Sequence, residues 1–579
     1  MTGETADSSA FGRFRAARDV LLAARGDHER ARAEFRWPQL EHFNWAVDWF
    51  DQIARDNDAT ALRIVSPAGE STATYAQLSN ASSRVQEWLD SIGVRRGDRV
   101  LLVLDTCVET WEILLALMKL RAVAVPVFTT LSSAEILDRA RRSRADHVIT
   151  STRHVDRLDG LGPLIPGHRI LIDGERSGWF RYRDAASARP VRTAEATPAD
   201  EVMSYYFTSG STAPPKLVAH THVSYPVGHL TGMYWAGLQP GDVHLNVSSP
   251  GWAKHPWSSF FAPWNAEATI VAVDTRDARP DVLLRALEST QASSFCAPPT
   301  IWRSLLSHGL GGRRLRLREA MSVGEPLTQD IVDAVRSAWG VTVRNGYGQS
   351  EVTAMTGVLA GSADDPRSLG RELPGYTLAL QPWSGGPDTG LGEIVVDLGE
   401  SSPGLMHGYL DDEGRRLGPD PRSQPYYRTG DLARRLPSGA LQFVGRVKDV
   451  FRTEKGVVVA PAAIEEVLLS HAATAEAAVV SCREEGPGGP RWIAKAFVVA
   501  APGWHVGPAT AEALFQRIGG SEQIHETGDV PVVIEFVDSL PRTESGKIYR
   551  EALRDLLRSP LVEFTASRVP AAAAEPIRL

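Results

Sequence analysis

Length, composition and charge describe an ordinary globular protein with more than one domain. The chain has 579 residues, which is more than a single hydrophobic core supports, so two or more domains are expected. Apolar residues make up 43% of the chain, charged residues make up 23%, and the net charge is −8. This mild negative charge provides no electrostatic footprint for DNA or RNA, which argues against nucleic-acid binding and favours small-molecule partners.

Neither the cysteines nor the apolar segments indicate secretion, a metal centre or a membrane span. Cys107, Cys296 and Cys482 lie far apart in apolar surroundings and form no CxxC pair, a pattern typical of buried thiols in a reducing compartment. The N-terminal arginines are interleaved with acidic residues, and no apolar stretch follows them. The most apolar stretch, residues 113–127, is interrupted by basic residues and a proline. We therefore expect a cytoplasmic protein.

From about residue 60, short apolar runs alternate with helical patterns. Residues 99–104 and 122–127 predict buried strands, and residues 109–119 between them have the spacing of a helix. The same alternation recurs downstream, where it predicts a strand over 268–273, helices over 281–290 and 328–339, and a strand over 341–343. Alternation of this kind predicts βαβ units with parallel sheets, and therefore an α/β body.

After residue 445 the pattern changes to that of a compact α+β unit. A helix is predicted over 462–469, and strands are predicted over 477–481, 495–500 and 532–537. The predicted fold class is α/β, with a large multi-sheet N-terminal domain of parallel βα units and a small α+β C-terminal domain. The predicted boundaries are a helical extension over 1–44, the large domain over 45–447, the small domain over 448–558 and a flexible tail over 559–579.

Residues 208–216 predict a phosphate-binding loop. They read T-S-G-S-T-A-P-P-K and follow a strand-like run over 202–207. Small hydroxyl residues and a glycine allow backbone N–H groups and hydroxyls to gather around phosphate oxygens, and a lysine adds a cation. The spacing differs from the GxxxxGK[ST] loop, because no glycine directly precedes Lys216 and Leu217 follows it. Taken alone, such a cluster is also typical of a plain surface loop.

Four further motifs follow this loop in chain order. They are Tyr347-Gly-Gln-Ser-Glu351, Thr429-Gly-Asp431, Gly445-Arg-Val-Lys-Asp449 and Pro541-Arg-Thr-Glu-Ser-Gly-Lys547. Together with the loop they resemble the signature series of the adenylate-forming superfamily, which contains acyl-CoA synthetases, luciferases and the adenylation domains of peptide synthetases. Residues 324–326 and Trp252 within residues 249–255 are most similar to the medium-chain acyl-CoA and aryl-acid-CoA synthetase branch. The resemblance extends from about residue 45 to residue 557.

The resemblance implies an ATP site assembled from these motifs. The loop residues that would cradle the β- and γ-phosphates are Thr208, Ser209, Gly210, Ser211, Thr212 and Lys216. The residues expected around adenine are Tyr347, which would stack beside the base, its neighbours Gly348 and Gln349, and the edge-lining backbone of Gly324, Glu325 and Pro326. ATP is therefore the expected nucleotide.

The resemblance also implies which groups act on the phosphates and the ribose. Ser350 is expected to donate to the α-phosphate, and Glu351 to coordinate Mg²⁺, the oxygen-ligated cation that suits phosphate chemistry. Asp431 would accept from both ribose hydroxyls, with help from Arg446. Lys547 would bridge the α-phosphate and the carboxylate of the acid as negative charge concentrates there in the transition state.

The small domain of the family is mobile, and it rotates between two half-reactions about a hinge that corresponds to Lys448 here. The rotation would remove Lys547 from the site and admit the second nucleophile. The phosphate loop itself departs from the family pattern at Ser211 and Ala213, where threonine and glycine are usual. Serine keeps the hydroxyl, and alanine is strained only if its φ is positive, so use of ATP is expected to persist.

The sequence supports coenzyme A as the acceptor less strongly than it supports adenylation, because two segments depart from the family pattern. Residues 455–461 replace a Gly-Tyr-Arg-type stretch that lines the pantetheine path in relatives, and Asp529 lies in a segment that is basic in relatives. A phosphate-rich acceptor prefers cations there. The other residues that could hold the coenzyme are Arg452, Lys455 and Arg491.

Residues 252–257 suggest part of an acid pocket. Trp252 and Trp257 offer aromatic walls that suit a planar or medium-chain acid, and Lys254 or His255 could pair with a polar substituent. The alternative is that Lys254 points to solvent and His255 packs structurally.

Three functions remain open from the sequence. The leading prediction is an AMP-forming ligase that activates a small aryl or medium-chain acid with ATP and transfers the acyl group to coenzyme A. A second keeps the adenylation step but passes the acid to an amine or carrier protein, or activates nitrite to diazotise an arylamine. A third, a non-catalytic nucleotide-binding homologue, is disfavoured because Lys547, Glu351 and Asp431 are all present. The oligomeric state stays undetermined, with a homodimer as one option.

Overall fold

The structure is a computed structural model that describes most of the chain in two compact units. The described residues are 8–162, 164–190, 195–208, 215–274, 276–383, 390–399, 402–453, 456–486, 489–521, 524, 532–543, 548–556 and 563–565. Of these, the first unit takes those up to 208, 215–378 and 396–427, and the second unit takes those in 379–395 and from 428 onward. Residues 428–446 thus group with the C-terminal part of the chain, while the boundary at residue 448 stays a prediction.

The α-helices are distributed over both units. In chain order they are α1 (Ala10–Ala23), α2 (His28–Glu34), α3 (Asp51–Ile53), α4 (Tyr75–Ile92), α5 (Val108–Leu120), α6 (Ser133–Ser143), α7 (Ser224–Ala236), α8 (Lys254–Pro256), α9 (Ala262–Asn265), α10 (Pro280–Ser289), α11 (Pro299–His308), α12 (Gln329–Trp339), α13 (Pro461–Leu469), α14 (Pro508–Gly519) and α15 (Arg550–Leu556). The π-helical turns are Trp45–Phe50 and Trp257–Phe261, and the 3₁₀ turns are Val155–Leu161, Tyr182–Ser187 and Pro421–Ser423.

In the part of the chain that the structure describes, the strands form five sheets. In chain order they are β1 (Thr60–Ser66), β2 (Gly69–Thr74), β3 (Arg99–Val103), β4 (Val123–Pro126), β5 (His147–Thr150), β6 (Arg169–Leu171), β7 (Phe180–Arg181), β8 (Val202–Thr208), β9 (Lys216–Thr221), β10 (Val243–Asn246), β11 (Thr269–Val273), β12 (Ser294–Cys296), β13 (Glu319–Val323), β14 (Val343–Gln349), β15 (Thr353–Gly357), β16 (Arg371–Glu372), β17 (Leu378–Pro382), β18 (Leu391–Asp397), β19 (Gly408–Leu410), β20 (Tyr426–Arg435), β21 (Leu441–Arg446), β22 (Phe451–Arg452), β23 (Val458–Val459), β24 (Thr474–Gly486), β25 (Gly489–Ala500), β26 (Val532–Phe536) and β27 (Glu563–Thr565).

Two large sheets form the body of the first unit. The nine-stranded sheet has the order β16-β15-β14-β13-β12-β10-β11-β1-β2, and its strands from β14 to β1 are parallel. The eight-stranded sheet has the order β19-β9-β8-β4-β3-β5-β6-β7 and is parallel from β8 to β7. Parallel strands end at one edge of a sheet, so residues that follow β10, β12, β13 and β14 are brought close together.

Local sequence accounts for several helix ends. Thr74 and Gln77 form a capping box at the start of α4, and Gly93 ends that helix with φ 104°. Ser132 and Glu135 form the same arrangement at the start of α6. These caps satisfy backbone groups that a helix end leaves without partners.

The predicted fold class is confirmed. The strands predicted over 99–104 and 122–127 are β3 and β4, which pair in parallel, and the helix between them is α5. One prediction needs correction, because residues 341–343 contribute only the first residue of β14, which runs on to Gln349. The predicted tail also contains β27, which pairs with β26 and covers part of its open edge.

The second unit contains smaller sheets. Its four-stranded sheet β24-β25-β26-β27 packs beside α13 and α14, and a hydrophobic core that includes Ile464, Leu468, Val479 and Leu514 lies between them. The other four-stranded sheet has the order β17-β18-β20-β21. Across the ranges that the structure describes, no helix has the length and apolar character needed to cross a membrane.

The expectation of buried thiols holds for only one cysteine. Cys296 is buried at the end of β12, whereas Cys107 and Cys482 are only partly buried. Cys107 lies at the N-cap of α5.

Candidate active site

The strands on either side of the predicted phosphate loop are firmly paired. Thr208 ends β8 and Lys216 begins β9, and the two residues face each other in the antiparallel register. Lys216 is exposed, and its ammonium lies 4.4 Å from the centroid of the Tyr409 ring. The position of Tyr409 follows from β19, which pairs with β9 so that Tyr409 faces Val218. The aromatic ring therefore stabilises the cation at the first residue of β9.

Tyr409 also contacts the predicted metal ligand. Its hydroxyl donates to Oε1 of Glu351 at 2.7 Å. The other carboxylate oxygen, Oε2, accepts no hydrogen bond from the residues that the structure describes. One tyrosine thus joins Lys216 and Glu351 in a single arrangement, and the half-buried carboxylate keeps an oxygen for a hard cation such as Mg²⁺.

A buried histidine fixes the backbone at Ser350. The Nε2 atom of His220 lies 2.6 Å from the carbonyl oxygen of Ser350, and Nδ1 lies 2.9 Å from the hydroxyl of Ser224. Since a carbonyl only accepts, Nε2 carries the proton and Nδ1 accepts from Ser224. Burial lowers the pKa of His220 to about 3, so the ring is neutral. This contact orients the segment that carries Ser350 and Glu351.

Tyr347 to Gln349 lie at the end of β14 and are partly exposed. The hydroxyl of Tyr427 donates to Oε1 of Gln349 at 3.1 Å. Position 348 accepts only glycine for a steric reason, because a Cβ built there would lie 2.0 Å from the carbonyl oxygen of Thr353 on β15. The hairpin of β14 and β15 therefore requires glycine beside Tyr347.

The segment 324–326 follows β13, and Trp252 lies against it. Gly324 has φ +100°, a left-handed conformation that favours glycine, and a Cβ there would lie 3.8 Å from the indole of Trp252. The Glu325 carboxylate accepts from the Thr300 hydroxyl at 2.7 Å. The predicted adenine edge and the predicted acid pocket therefore share a boundary at Trp252.

Lys254 and His255 are both buried, so the alternative that Lys254 points to solvent is wrong. Lys254 is 6% exposed and His255 is 1% exposed. The His255 ring packs 5.1 Å from the Trp111 ring, and neither of its nitrogens has a hydrogen-bond partner in the described part of the chain. Burial lowers the pKa of His255 to about 3. Trp257, also predicted as an aromatic wall, is buried against His229 and Trp235.

In the second unit, Asp431 and Arg446 face each other across β20 and β21. The carboxylate of Asp431 is nearly buried, and its Oδ1 lies 3.6 Å from Nε of Arg446. The preceding turn is held by Glu393, which accepts from the backbone N–H of Gly430 at 3.0 Å. The strands therefore present one acidic and one basic side chain together, and their role at the ribose stays a prediction.

The predicted hinge residue lies in a tight turn after β21. The backbone N–H groups of Asp449 and Val450 both donate to the carbonyl of Arg446 at 2.9 Å. Asp449 accepts from Arg554 on α15 at 2.9 Å, while Lys448 itself is exposed. The turn is thus anchored on both sides of an exposed lysine.

Several predicted residues lie outside the described residues. They are Ser209, Gly210, Ser211, Thr212, Ala213, Lys455, Asp529 and Lys547. Of the other predicted cations for coenzyme A, Arg452 lies 5.0 Å from the Trp383 ring and donates to the carbonyl of Gly456. Arg491 forms an ion pair with Glu484 at 2.6 Å.

The residues that sequence reasoning missed are Tyr409, Tyr427 and His220. Each acts on a motif residue that is distant in the chain, for example Tyr409 on Glu351. An aromatic residue in the short run 408–410 gives no motif signal, so only the pairing of β19 with β9 reveals its role.

Comparison with known proteins identifies the family. Residues 49–410 match the AMP-binding enzyme family, and residues 463–547 match its C-terminal domain. This chain belongs to the AMP-binding enzyme family. The family assignment confirms the predicted superfamily and the predicted enzyme class, an AMP-forming acid ligase.

Individual relatives of this AMP-binding enzyme are similar over nearly their whole length. A 4-hydroxybutyrate–CoA ligase of Metallosphaera sedula is 36% identical, with 89% of this chain and 91% of that protein covered. The mitochondrial acyl-coenzyme A synthetase ACSM3 of Pongo abelii is 30% identical, with 91% and 92% covered. The crystal structure of the anthranilate CoA ligase AuaEII with anthranoyl-AMP has a TM-score of 0.77 at 23% identity and covers 89% of this chain and 98% of that one. At this low sequence identity, the similarity to the AuaEII structure shows that the two chains share a fold.

Proposed function

We propose that this AMP-binding enzyme activates a small aryl or medium-chain carboxylic acid with ATP and then transfers the acyl group to coenzyme A. In the first step a carboxylate oxygen attacks the α-phosphorus, the bond to the bridging oxygen of the β-phosphate breaks, and pyrophosphate leaves. In the second step the thiolate sulfur attacks the acyl carbon, and AMP leaves with the bonding electron pair. Related acid–CoA ligases support this pair of half-reactions.

The observation that carries the proposal is the arrangement of Lys216, Tyr409 and Glu351. It places a cation and a carboxylate on either side of one phenol, beside the strand ends that flank the phosphate loop. A magnesium ion held by Glu351 would neutralise phosphate charge. The residues of the chain itself would then hold the nucleotide, with Ser350 at the α-phosphate and Asp431 and Arg446 at the ribose.

We assign the catalytic cation to Lys547, on the strength of the motif alone. An ammonium between the α-phosphate and the acid's carboxylate would offset charge as it develops in the transition state. Lys448 would be the hinge for the second half-reaction. A cytoplasmic location remains our prediction, although the name of the ACSM3 relative places that protein in mitochondria.

One observation favours a second candidate function. Arg452 and Arg491, two cations that the sequence offered for the phosphates of coenzyme A, already have protein partners. An acceptor without nucleotide phosphates, such as an amine or a carrier protein, or nitrite activation would need no such cations.

The test is ATP–pyrophosphate exchange with aryl, medium-chain and short acids and with nitrite, followed by product analysis with and without coenzyme A. We expect exchange with at least one acid, and a thioester plus AMP when coenzyme A is present. Exchange without thioester would move the assignment to the second candidate. Absence of exchange with every acid and with nitrite would refute the adenylating function.

A further inference from the structure

Lys254 lies where the substrate acid is expected, and it lacks adequate partners. Its ammonium is buried on the short helix α8, which follows β10 at the carboxyl edge of the nine-stranded sheet. Within the described ranges, its hydrogen-bond partners are the carbonyl of Val247, at 3.5 Å, and the thiol of Cys296, which is a weak acceptor. An ammonium has three donors, and 3.5 Å is at the outer limit of a hydrogen bond.

Nearby charges do not neutralise this cation. Burial lowers the pKa of Lys254, and Cys296 and Glu325 only partly oppose that shift. The Glu325 carboxylate is engaged by the Thr300 hydroxyl. The Trp252 ring, 5.5 Å from the ammonium, offers a π face but no lone pair. A buried ammonium in these surroundings needs an acceptor that the described chain does not supply.

Other polar atoms without partners collect at the same sheet edge. Oδ1 of Asn246 at the end of β10 and the hydroxyl of Ser248 just beyond it are buried and have no partner in the described chain. Buried polar groups in folded proteins are almost always satisfied. Two such exceptions, at the strand end that leads to Lys254, are therefore consistent with a ligand that supplies the missing hydrogen bonds.

We propose that Lys254 selects acids that carry an oxygen acceptor, a hydroxyl or a second carboxylate, at the end remote from the reacting carboxylate. This inference rests on the proposed function, because it assumes that an acid enters this edge of the sheet. Lys254 is a donor only, so the group that it binds must bring a lone pair. The oxygen would complete the coordination of the ammonium, and an unsubstituted acid would leave it unpaired.

The test compares acids of the same skeleton in wild type and Lys254→Met. The sets are benzoate, 4-hydroxybenzoate and terephthalate, and hexanoate, 6-hydroxyhexanoate and adipate. In wild type we expect kcat/KM for exchange to favour an oxygenated member at least about 10-fold, a difference typical of one buried hydrogen bond to a charge. In the variant that preference should disappear, mainly through KM. Within each set, the comparison of the hydroxy acid with the dicarboxylic acid decides whether Lys254 binds a hydroxyl or a carboxylate.

Thermal stability supplies a readout that does not depend on turnover. Without acid, Lys254→Met should melt at or above the wild-type temperature, because it removes an underpartnered buried charge. An oxygenated acid should raise the Tm of wild type and not of the variant. If no acid supports exchange but this shift persists, the proposed function fails and the Lys254 assignment stands.

The matched control is Lys119→Met, which removes a lysine that is also buried but is fully partnered. It should lower Tm and leave the acid preference unchanged. Equal losses for all acids in Lys254→Met would place Lys254 at the reacting carboxylate and overturn the proposal. A lower acid-free Tm with the preference intact would also overturn it, since Lys254 would then be structural.

Discussion

Two buried lysines in the first unit have opposite surroundings. Lys119, on α5, is 1% exposed and donates to the Asp51 carboxylate at 2.8 Å, to the Ser79 carbonyl, and to the hydroxyls of Ser82 and Ser83. Lys254, on α8, is 6% exposed, and its described partners are weak: the Val247 carbonyl at 3.5 Å, the Cys296 thiol and the face of the Trp252 ring. In the sequence both lysines lie in largely apolar surroundings, with another basic residue close by: Arg121 near Lys119 and His255 next to Lys254.

The difference separates a structural charge from a functional one. The four acceptors around Lys119 offset the desolvation of its ammonium, and the region is complete without a ligand. The region around Lys254 is incomplete, and its orphan polar atoms lie where substrate is expected. A buried charge with partners stabilises one fold, whereas a buried charge without them indicates a binding site.

Lys547 extends the comparison to a lysine that we propose acts on the reacting atoms. Lys547→Ala should reduce ATP–pyrophosphate exchange about 10²- to 10³-fold for every acid, because the charge that it offsets develops only in the transition state. Lys254→Met should instead change the preference among acids. The control is Arg542→Ala in the same segment, which removes an ion pair with Glu476 and should leave exchange intact. Normal exchange in Lys547→Ala would remove that residue from the mechanism.

Lys119→Met tests the structural side of the comparison. Removing one member of a buried ion pair typically costs about 3–5 kcal/mol, and the partial exposure of Asp51 places our expectation near the lower value of about 3 kcal/mol. Denaturant unfolding of the first unit should show this loss. Exchange activity per folded molecule should be unchanged. A variant as stable as wild type would mean that the four contacts of Lys119 contribute little.

Tyr409→Phe tests whether the contact with Glu351 matters to the nucleotide site. It removes the hydroxyl that donates to Glu351 at 2.7 Å and keeps the ring beneath Lys216. A hydrogen bond to a charged group contributes about 1.5 kcal/mol or more, so kcat/KM for ATP should fall about 10-fold, with a changed Mg²⁺ requirement. Tyr426→Phe, at an exposed tyrosine, is the control. An unchanged Mg²⁺ titration would show that Tyr409 does not act through Glu351.

His255→Phe addresses the smallest expected effect, the pH dependence of stability. The folded-state pKa is about 3, whereas an unfolded histidine titrates near 6.5. Between these values the unfolded chain binds a proton that the folded chain does not. The free energy of unfolding therefore decreases as the pH is lowered, by about 1.4 kcal/mol per pH unit for this one group. The variant should show a shallower decline between pH 6 and pH 5 in denaturant titrations, and no difference in slope above pH 7. Parallel curves throughout would contradict the burial argument.

Much of the fold follows from local sequence. The apolar alternation located β3, α5 and β4 within about one residue, since strand and helix periods are properties of adjacent positions. The correction at β14 shows the limit of that reasoning. Residues 341–349 carry no continuous apolar run, and the strand extends to Gln349 because β13 and β15 pair with it on either side.

The candidate active site likewise has features that the sequence predicted and features that only the structure revealed. The motifs around Glu351, Asp431 and Lys547 named the expected chemistry from the chain alone, because nucleotide contacts are made by short segments with fixed spacing. The sequence left Lys254 open between solvent and substrate, and it was silent on Tyr409. The packing of α8 against the strand ends buried Lys254, and the pairing of β19 with β9 brought Tyr409 to Glu351 across 58 residues. Burial and partnership depend on residues distant in the chain, so only the tertiary structure decided which lysine is satisfied and which one awaits a ligand.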